Sequence, residues 1–348
     1  MIGERLRRSR KGAGLSLRAL SDAVGLSHTA IDKYENDQLV PNSGTLLKLA
    51  AALEVSVDYL LRPSTIELTG VAYRRHSGFS EQLAARIISD VTDQVERHMA
   101  LYDLLPDALP QFRIPELPAR IETLEEVEQV AMLAREAWKL GFNPIPDLID
   151  TFEEHGVIVL ASDVFGDKSF SGLSAWAGDV PVIIISSEWP GDRQRFTACH
   201  ELGHLLLHDR LAPELEEEKA CDRFAGAFLV PEPSVSAALG KRRKWIDPRE
   251  LVLLKREYGL SMNAWLYRAR DCGVLDQRKF GQMFGTFKKK GWNVREPGGD
   301  YPHEKPYRFQ QTVYRALAED IIGESKAIEL LGSQQDELRR FSADAAGP

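Results

Sequence analysis

Apolar residues recur at helical spacing over most of this chain, and the polar, Gly and Pro positions between them mark where helices stop. Ile2 and Leu6 share one face of a first helix that carries Arg5, Arg7, Arg8, Arg10 and Lys11 mostly on its other faces and ends at Gly12 and Gly14. Ser16 is placed to cap a second helix with Leu17, Leu20 and Val24 as its buried stripe and Gly25 as its stop. Ser27 caps a third, "HTAIDKYEN"; a fourth follows from Asn42 to Leu53 and a fifth from Ser56 to Leu61. The stretch "RPSTIELTGVAYRRHSGFSEQ" has no strong helical period and reads as a linker. Helical spacing resumes from Ser80 to about Leu105 on Ala84, Ile87, Ile88, Val91, Val95 and Met99, and the prolines of "DLLPDALPQFRIPELPARI" break it. A further helix runs from Thr123 to Leu140, where Thr123 and Glu126 form a capping box. Then the pattern changes: "GVIVLASD", "FSGLSAWAG" and "VPVIIISS" read as three short strands with Gly and Asp turns. Helices return afterwards, residues 247 to 290 being mainly helical. The tail from Tyr307 reads as two or three small helices, with "SADAAGP" frayed at the end.

With 348 residues there is room for two or three domains. The net charge of −8 excludes a generic polyanion binder, so a nucleic-acid surface has to be sought locally. No apolar run approaches the roughly 20 residues that span a bilayer, and "IGERLRRSRKGAG" after Met1 offers no signal-peptide core, which points to no membrane partner and a cytoplasmic location. Three widely spaced cysteines suit a reducing compartment better than a disulfide framework.

Two helices joined by a short Gly-containing turn and followed by more helices is the plan of a helix-turn-helix. From Leu15 to Leu61 the chain resembles the phage-repressor (Cro/C1, XRE) type, carried by Leu20, Ala23, Gly25, Ile31, Glu35, Pro41, Leu49, Ala52 and Leu60. The resemblance implies a double-stranded DNA operator as partner, with His28, Thr29 and Lys33 facing the major groove and Ser27, Asn36 and Arg10 near phosphates. One departure is Leu17, where the family often has Gln. Repressor-type domains often pair to read two half-sites, so a homodimer is a candidate state.

The densest chemistry lies in "FTACHELGHLLLH", Phe196 to His208. His200 and His204 are four apart, so on a helix both imidazoles reach one ion, and Glu201 is turned toward a water on that ion as general base. His208 lies about 12 Å further along a straight helix than His200, which leaves it a helix-end position close to the ligands without being one of them. A third ligand must come from elsewhere. In "ELEEEKACDRFAGAFLVPEP", Glu217 and Glu218 sit one turn before Cys221, and a ligand Glu with Asp222 one turn on suits a gluzincin: the Asp hydrogen-bonds the far nitrogen of a ligand histidine. Cys199 points about 100° away from His200, and Cys221 fills a small apolar position.

From about Glu125 to Gly299 the chain resembles the ImmA/IrrE (M78) zinc peptidases, on "GDRQRFTACHELGHLLLH", "EKACDRFAGAFLVP", "GLSMNAWLYRARDCGVL" and "GWNVREPGG". The family pattern Glu-x-x-Ala-Asn/Asp-x-Phe-Ala places the third ligand on Glu218 and the Asn/Asp on Asp222. The two resemblances together imply a multidomain, mainly α protein. A helix-turn-helix domain (1–63) and a linker with connecting helix (64–120) lead into an α+β zincin-like, gluzincin-type peptidase domain with a small antiparallel sheet (121–300), and a helical tail (301–348) follows. They also imply one Zn2+ per chain, a sheet edge that holds an extended peptide, and cleavage of a helix-turn-helix repressor or of the chain itself. The alternative is a non-proteolytic regulator or antitoxin with a zinc sensor or scaffold domain. Tyr258, Tyr267, Tyr301 and His303 are candidates for the oxyanion partner, and the sequence does not choose among them.

Overall fold

The computed structural model describes residues 2–61, 66–73, 81–113, 116–162 and 170–332; the expectation of frayed ends at "SADAAGP" lies outside them. The chain divides into two compact units.

The first unit begins with five helices, α1 (Ile2–Gly12), α2 (Leu17–Val24), α3 (His28–Glu35), α4 (Ser43–Ala52) and α5 (Val57–Leu61). They close on Leu6, Leu20, Ile31, Leu49 and Leu60, all fully buried. Their boundaries are set locally. Ser16, Ser27 and Asn42 each accept a backbone N–H three residues on, and Gly25 takes the left-handed φ of 70° that ends α2. Gly3 lets α1 lie against the end of α3, since a Cβ there would sit 2.6 Å from the Glu35 carbonyl oxygen. β1 (Leu68–Tyr73) falls within the stretch expected to be linker. α6 (Glu81–Leu104) then returns to this unit. Glu96 on α6 takes both Arg5 and Arg8 of α1 at 2.8 Å, and Ser89 donates to the Arg8 carbonyl.

Arg10 is not placed for a phosphate. Its Nη2 donates to Glu35 Oε2 at 2.8 Å, its Nε to the other oxygen, and its Nη1 to the Leu15 carbonyl, all with the side chain largely buried. The arginine ties α1 to α3. Arg10→Ala is expected to cost about 2–3 kcal/mol, because the buried Glu35 carboxylate loses two charge-assisted hydrogen bonds and keeps the longer contact with Arg7 at 3.7 Å. A denaturant titration of this unit reads the loss; weaker DNA binding at unchanged stability would return Arg10 to the phosphate backbone.

The second unit holds a four-stranded sheet in the order β1-β3-β4-β2, with β2 (Ile158–Ser162), β3 (Gly172–Ala177) and β4 (Val180–Ser186). β3 and β4 form an antiparallel hairpin through Gly178 at φ 59°, whereas β2 pairs with β4 in parallel, Ile158 beside Val182. The sheet is therefore mixed, not antiparallel throughout as expected. The nearly unbroken apolar runs of β2 and β4 are the mark of strands buried on both faces, which parallel pairing goes with.

The rest of this unit is helical, with α7 (Leu124–Ala137), α8 (Leu148–Glu154), α9 (Gly191–Leu207), α10 (Glu217–Leu229), α11 (Glu232–Leu239), α12 (Pro248–Tyr258), α13 (Met262–Asp271), α14 (Gln277–Lys289), α15 (Arg308–Ala318) and α16 (Glu324–Leu331); α9 packs on β3 and β4, and α8 on β2. α9 and α10 form the centre of the core with Leu202, Leu206, Phe224 and Phe228. The first half of α9 is clamped by the segment before α15. Glu304 pairs with Arg195 and also accepts the Leu148 and Ile149 amides that open α8. Tyr301 accepts the Gly191 amide, and Lys255 joins Asp192 to Glu296, each at 3.1 Å. Among the described residues no helix is long and apolar enough to cross a membrane.

Glu153 on α8 is 7% exposed, and burial pushes its carboxyl up to about 8, against the pull of Arg308. A raised carboxyl pKa means the folded state holds a proton the unfolded chain has released. Glu153 thus withdraws stability as pH rises from its ordinary value of 4.5 toward about 8. Glu153→Gln is expected to flatten that slope, by at most about 1.4 kcal/mol per pH unit. Urea midpoints of both proteins at about pH 5 and about pH 8.5 test it, and parallel curves would refute it.

Candidate metal centre and recognition helix

α9 is buried around its whole circumference over its middle turns, which is why apolar residues flank the histidines on every side. Gly203 fixes the crossing with α10: a Cβ there would lie 3.2 Å from the Cys221 Cα and 3.3 Å from Phe224. That close approach brings the start of α10 over the imidazoles of His200 and His204, which are 0% and 7% exposed.

The two Nε2 atoms face each other at 3.1 Å. The Glu218 carboxylate straddles them, with Oε2 3.5 Å from His200 Nε2 and Oε1 3.5 Å from His204 Nε2. On the far side of the rings, His200 Nδ1 meets Asp222 Oδ1 at 2.8 Å and His204 Nδ1 meets Glu217 Oε1 at 2.9 Å. A carboxylate can only accept, so each ring carries its proton on Nδ1 and turns an Nε2 lone pair inward. Three electron-pair donors then converge with no proton among these contacts to separate them, an arrangement a cation satisfies. Tetrahedral zinc with bonds of ~2.0–2.1 Å sets its donors about 3.3 Å apart, close to the 3.1 Å between the imidazoles and the 3.5 Å from each to the nearer carboxylate oxygen. Burial, with His200 alongside, holds the His204 imidazole below its ordinary pKa despite Glu217, which favours the neutral ring a metal binds.

His208 follows the end of α9 and gives its Nδ1 to the same Glu217 oxygen at 2.9 Å. It braces the carboxylate that orients His204. The Cys221 sulfur also lies within 4.8 Å of a nitrogen on each imidazole. Burial and the surrounding carboxylates drive that thiol far above its usual range, toward the protonated form. Cys199 is buried and its thiol is likewise pushed up.

Glu201 is 1% exposed and accepts the Ser174 hydroxyl of β3 on Oε2 at 3.0 Å. Gly172, two residues earlier, leaves the room this requires, since a Cβ would come within 2.9 Å of Glu201 Oε1. The sequence did not single out Ser174 or an orienting role for Glu217. The i,i+4 rule links Glu217 only to its own helix, and a serine in a strand carries no signal of what it faces. Tyr258 packs on Trp265 and Tyr267 on Phe280 and Phe284, so both are engaged in aromatic clusters.

On α3, His28, Thr29 and Lys33 are exposed on one helix. Ser27 is also exposed and spends its oxygen on capping, while Asn36 accepts Arg7 and donates to Asp32.

Comparison with known families agrees with both halves. The helix-turn-helix model matches residues 6–60, and the IrrE N-terminal-like domain of the M78 peptidases matches residues 152–270. This chain joins a helix-turn-helix domain to an M78 metallopeptidase domain. The chain is similar to the radiation response metalloprotease IrrE of Deinococcus radiodurans, 35% identical over 99 residues, 25% of this chain and 30% of that protein. The chain is also similar to repressor protein C2 of Salmonella phage P22, 42% identical over 77 residues, 22% of this chain and 35% of the repressor. It is also similar to the transcriptional regulator ImmR of Bacillus subtilis, 35% identical over 60 residues, 17% of this chain and 47% of ImmR. The chain thus covers less than half the length of each of these three relatives.

Proposed function

We propose that this chain is a DNA-binding regulator whose M78 domain is a zinc-dependent endopeptidase, cutting a helix-turn-helix repressor or the chain itself. The observation that carries this is the convergence of His200 Nε2, His204 Nε2 and Glu218 beside a buried Glu201 held by Ser174. His200, His204 and Glu218 would hold one zinc ion, which when bound polarises a peptide carbonyl and acidifies water. Asp222 and Glu217 keep the Nδ1 protons in place and so the Nε2 lone pairs directed inward. Glu201 takes the proton of the attacking water and passes it to the departing amine nitrogen. Ser174 fixes the carboxylate so that it meets that water without reorganising.

Purified protein incubated with a helix-turn-helix repressor from its own genome, beside Glu201→Gln, tests the enzyme. Zinc in both and cleavage by neither would end the endopeptidase reading. Operator binding measured by fluorescence across a salt titration tests the regulator. Lys33→Ala is expected to weaken binding by about 1–3 kcal/mol if it reads a base. Binding that ignores both salt and Lys33 counts against a DNA role.

The position of Cys221 favours one alternative. Four protein donors, His200, His204, Glu218 and Cys221, would close the site and leave a zinc sensor or scaffold in a non-proteolytic regulator. Zinc X-ray absorption separates the two readings: a Zn–S distance of about 2.3 Å belongs to the closed site.

A further inference from the structure

β3 is the strand that carries the general base's partner: Ser174 holds Glu201, and Gly172 leaves space for it. One edge of β3 is used by β4. Its other edge is the row of backbone donors and acceptors next to the base, and an extended peptide adding to an exposed strand uses such a row. In this protein that row is taken by β1, a segment of the same chain. From Thr69 on, β1 groups with the second unit, although the residues up to Leu68 and helix α6 belong to the first.

β1 differs from the other strands in how it is held. β2, β3 and β4 are buried almost throughout. In β1, Leu68 is half-buried and Thr69 and Gly70 are exposed, and the hydrophobic core of the second unit is built without any described side chain of β1. Gly70 stands at φ +61° with the ring of Trp176 where its side chain would be: a Cβ would lie 3.2 Å from Trp176 Cδ1. Trp176 is two residues along β3 from Ser174. Over its described side chains, Leu68 to Gly70, β1 is held by backbone pairing and the approach of Gly70 to Trp176 with little apolar burial, an attachment that another strand can replace.

We propose that β1 occupies the peptide-binding edge of the M78 domain and that a substrate enters as an extended strand by displacing it. The inference rests on the endopeptidase reading for its meaning, but its central claim, strand exchange at β3, is measurable without catalysis.

The probe is a fluorescein-labelled peptide of sequence LTGVAY, which copies Leu68 to Tyr73, added to the zinc-loaded full chain carrying Glu201→Gln. The comparison is the same chain with Val71→Pro and Ala72→Pro. Successive residues of a strand point their amides to opposite sides, so one of the two prolines removes a bond to β3 whatever the register. A second variant replaces Thr69 to Tyr73 with Gly and Ser and guards against misfolding of the first. Fluorescence anisotropy is expected to show the peptide binding either variant at least tenfold more tightly than the intact chain. Equal binding to all three, or binding to none, overturns the proposal. With Glu201 restored, cleavage of an unstructured protein substrate is expected to rise about tenfold in kcat/KM in the variants, mostly through KM. Tighter peptide binding with no cleavage by any form would leave strand exchange standing and remove the endopeptidase reading. Cleavage at equal kcat/KM by all forms would do the reverse.

Discussion

Glu201→Gln is expected to bind zinc as the unmodified chain does and to cut its protein substrate about a hundred- to ten-thousand-fold more slowly. That is the range a positioned general base contributes. The substitution suits the question because glutamine keeps the shape of the side chain and can still accept the Ser174 hydroxyl. What it loses is basicity. His200, His204 and Glu218 are untouched, so metal content should hold near one equivalent while turnover falls. The measurement is zinc by atomic absorption alongside the initial rate of cleavage. A rate within threefold of the unmodified chain would mean that the proton goes to another group, and the buried carboxylate would then be a packing residue.

The second large effect is on stability. Glu304→Ala is expected to cost about 3–5 kcal/mol in the second unit, because it leaves the Arg195 guanidinium buried without its carboxylate. The same carboxylate accepts the first amides of α8, so one change loosens the start of α8 and the first half of α9 together. For a unit of this size the melting temperature should fall by roughly 10 °C. Glu304→Gln, which can keep part of the hydrogen bonding, should fall by less. Equal and small losses from both would show that Arg195 is held well enough by the carbonyls of Ile145 and Tyr258, which also accept from it.

Much of this architecture can be read locally. Ser16, Ser27, Asn42 and the Thr123–Glu126 box cap the helices expected of them, since a cap is decided within four residues of chain. The spacing of His200 and His204 likewise contains its own geometry. What escaped depends on partners far away in sequence. Arg10 reads as a phosphate contact on a basic helix until Glu35 is seen to pair with it. Ser174 is one polar residue in a strand until α9 is packed behind it. The stretch holding β1 reads as linker because Pro63 and scattered Gly and Ser leave it no helical period, although Thr69, Val71 and Tyr73 alternate as a strand would. Its partner strand lies about a hundred residues downstream, where no local pattern reaches. The parallel pairing of β2 was in the sequence, in two runs too uniformly apolar for strands with one wet face.

The packing of α6 on α1 decides where the protein can be divided. Arg5 and Arg8 are nearly buried and share Glu96, which lies some ninety residues further along the chain. A fragment ending after the fifth helix would contain every residue of α3 yet lack the acid that lets two guanidiniums sit inside the module. A fragment that keeps this neutralisation therefore runs into α6, past Glu96. A shorter cut would remove a buried carboxylate from beside two guanidiniums of α1 and raise the positive charge of that face, which strengthens non-specific attraction to nucleic acid.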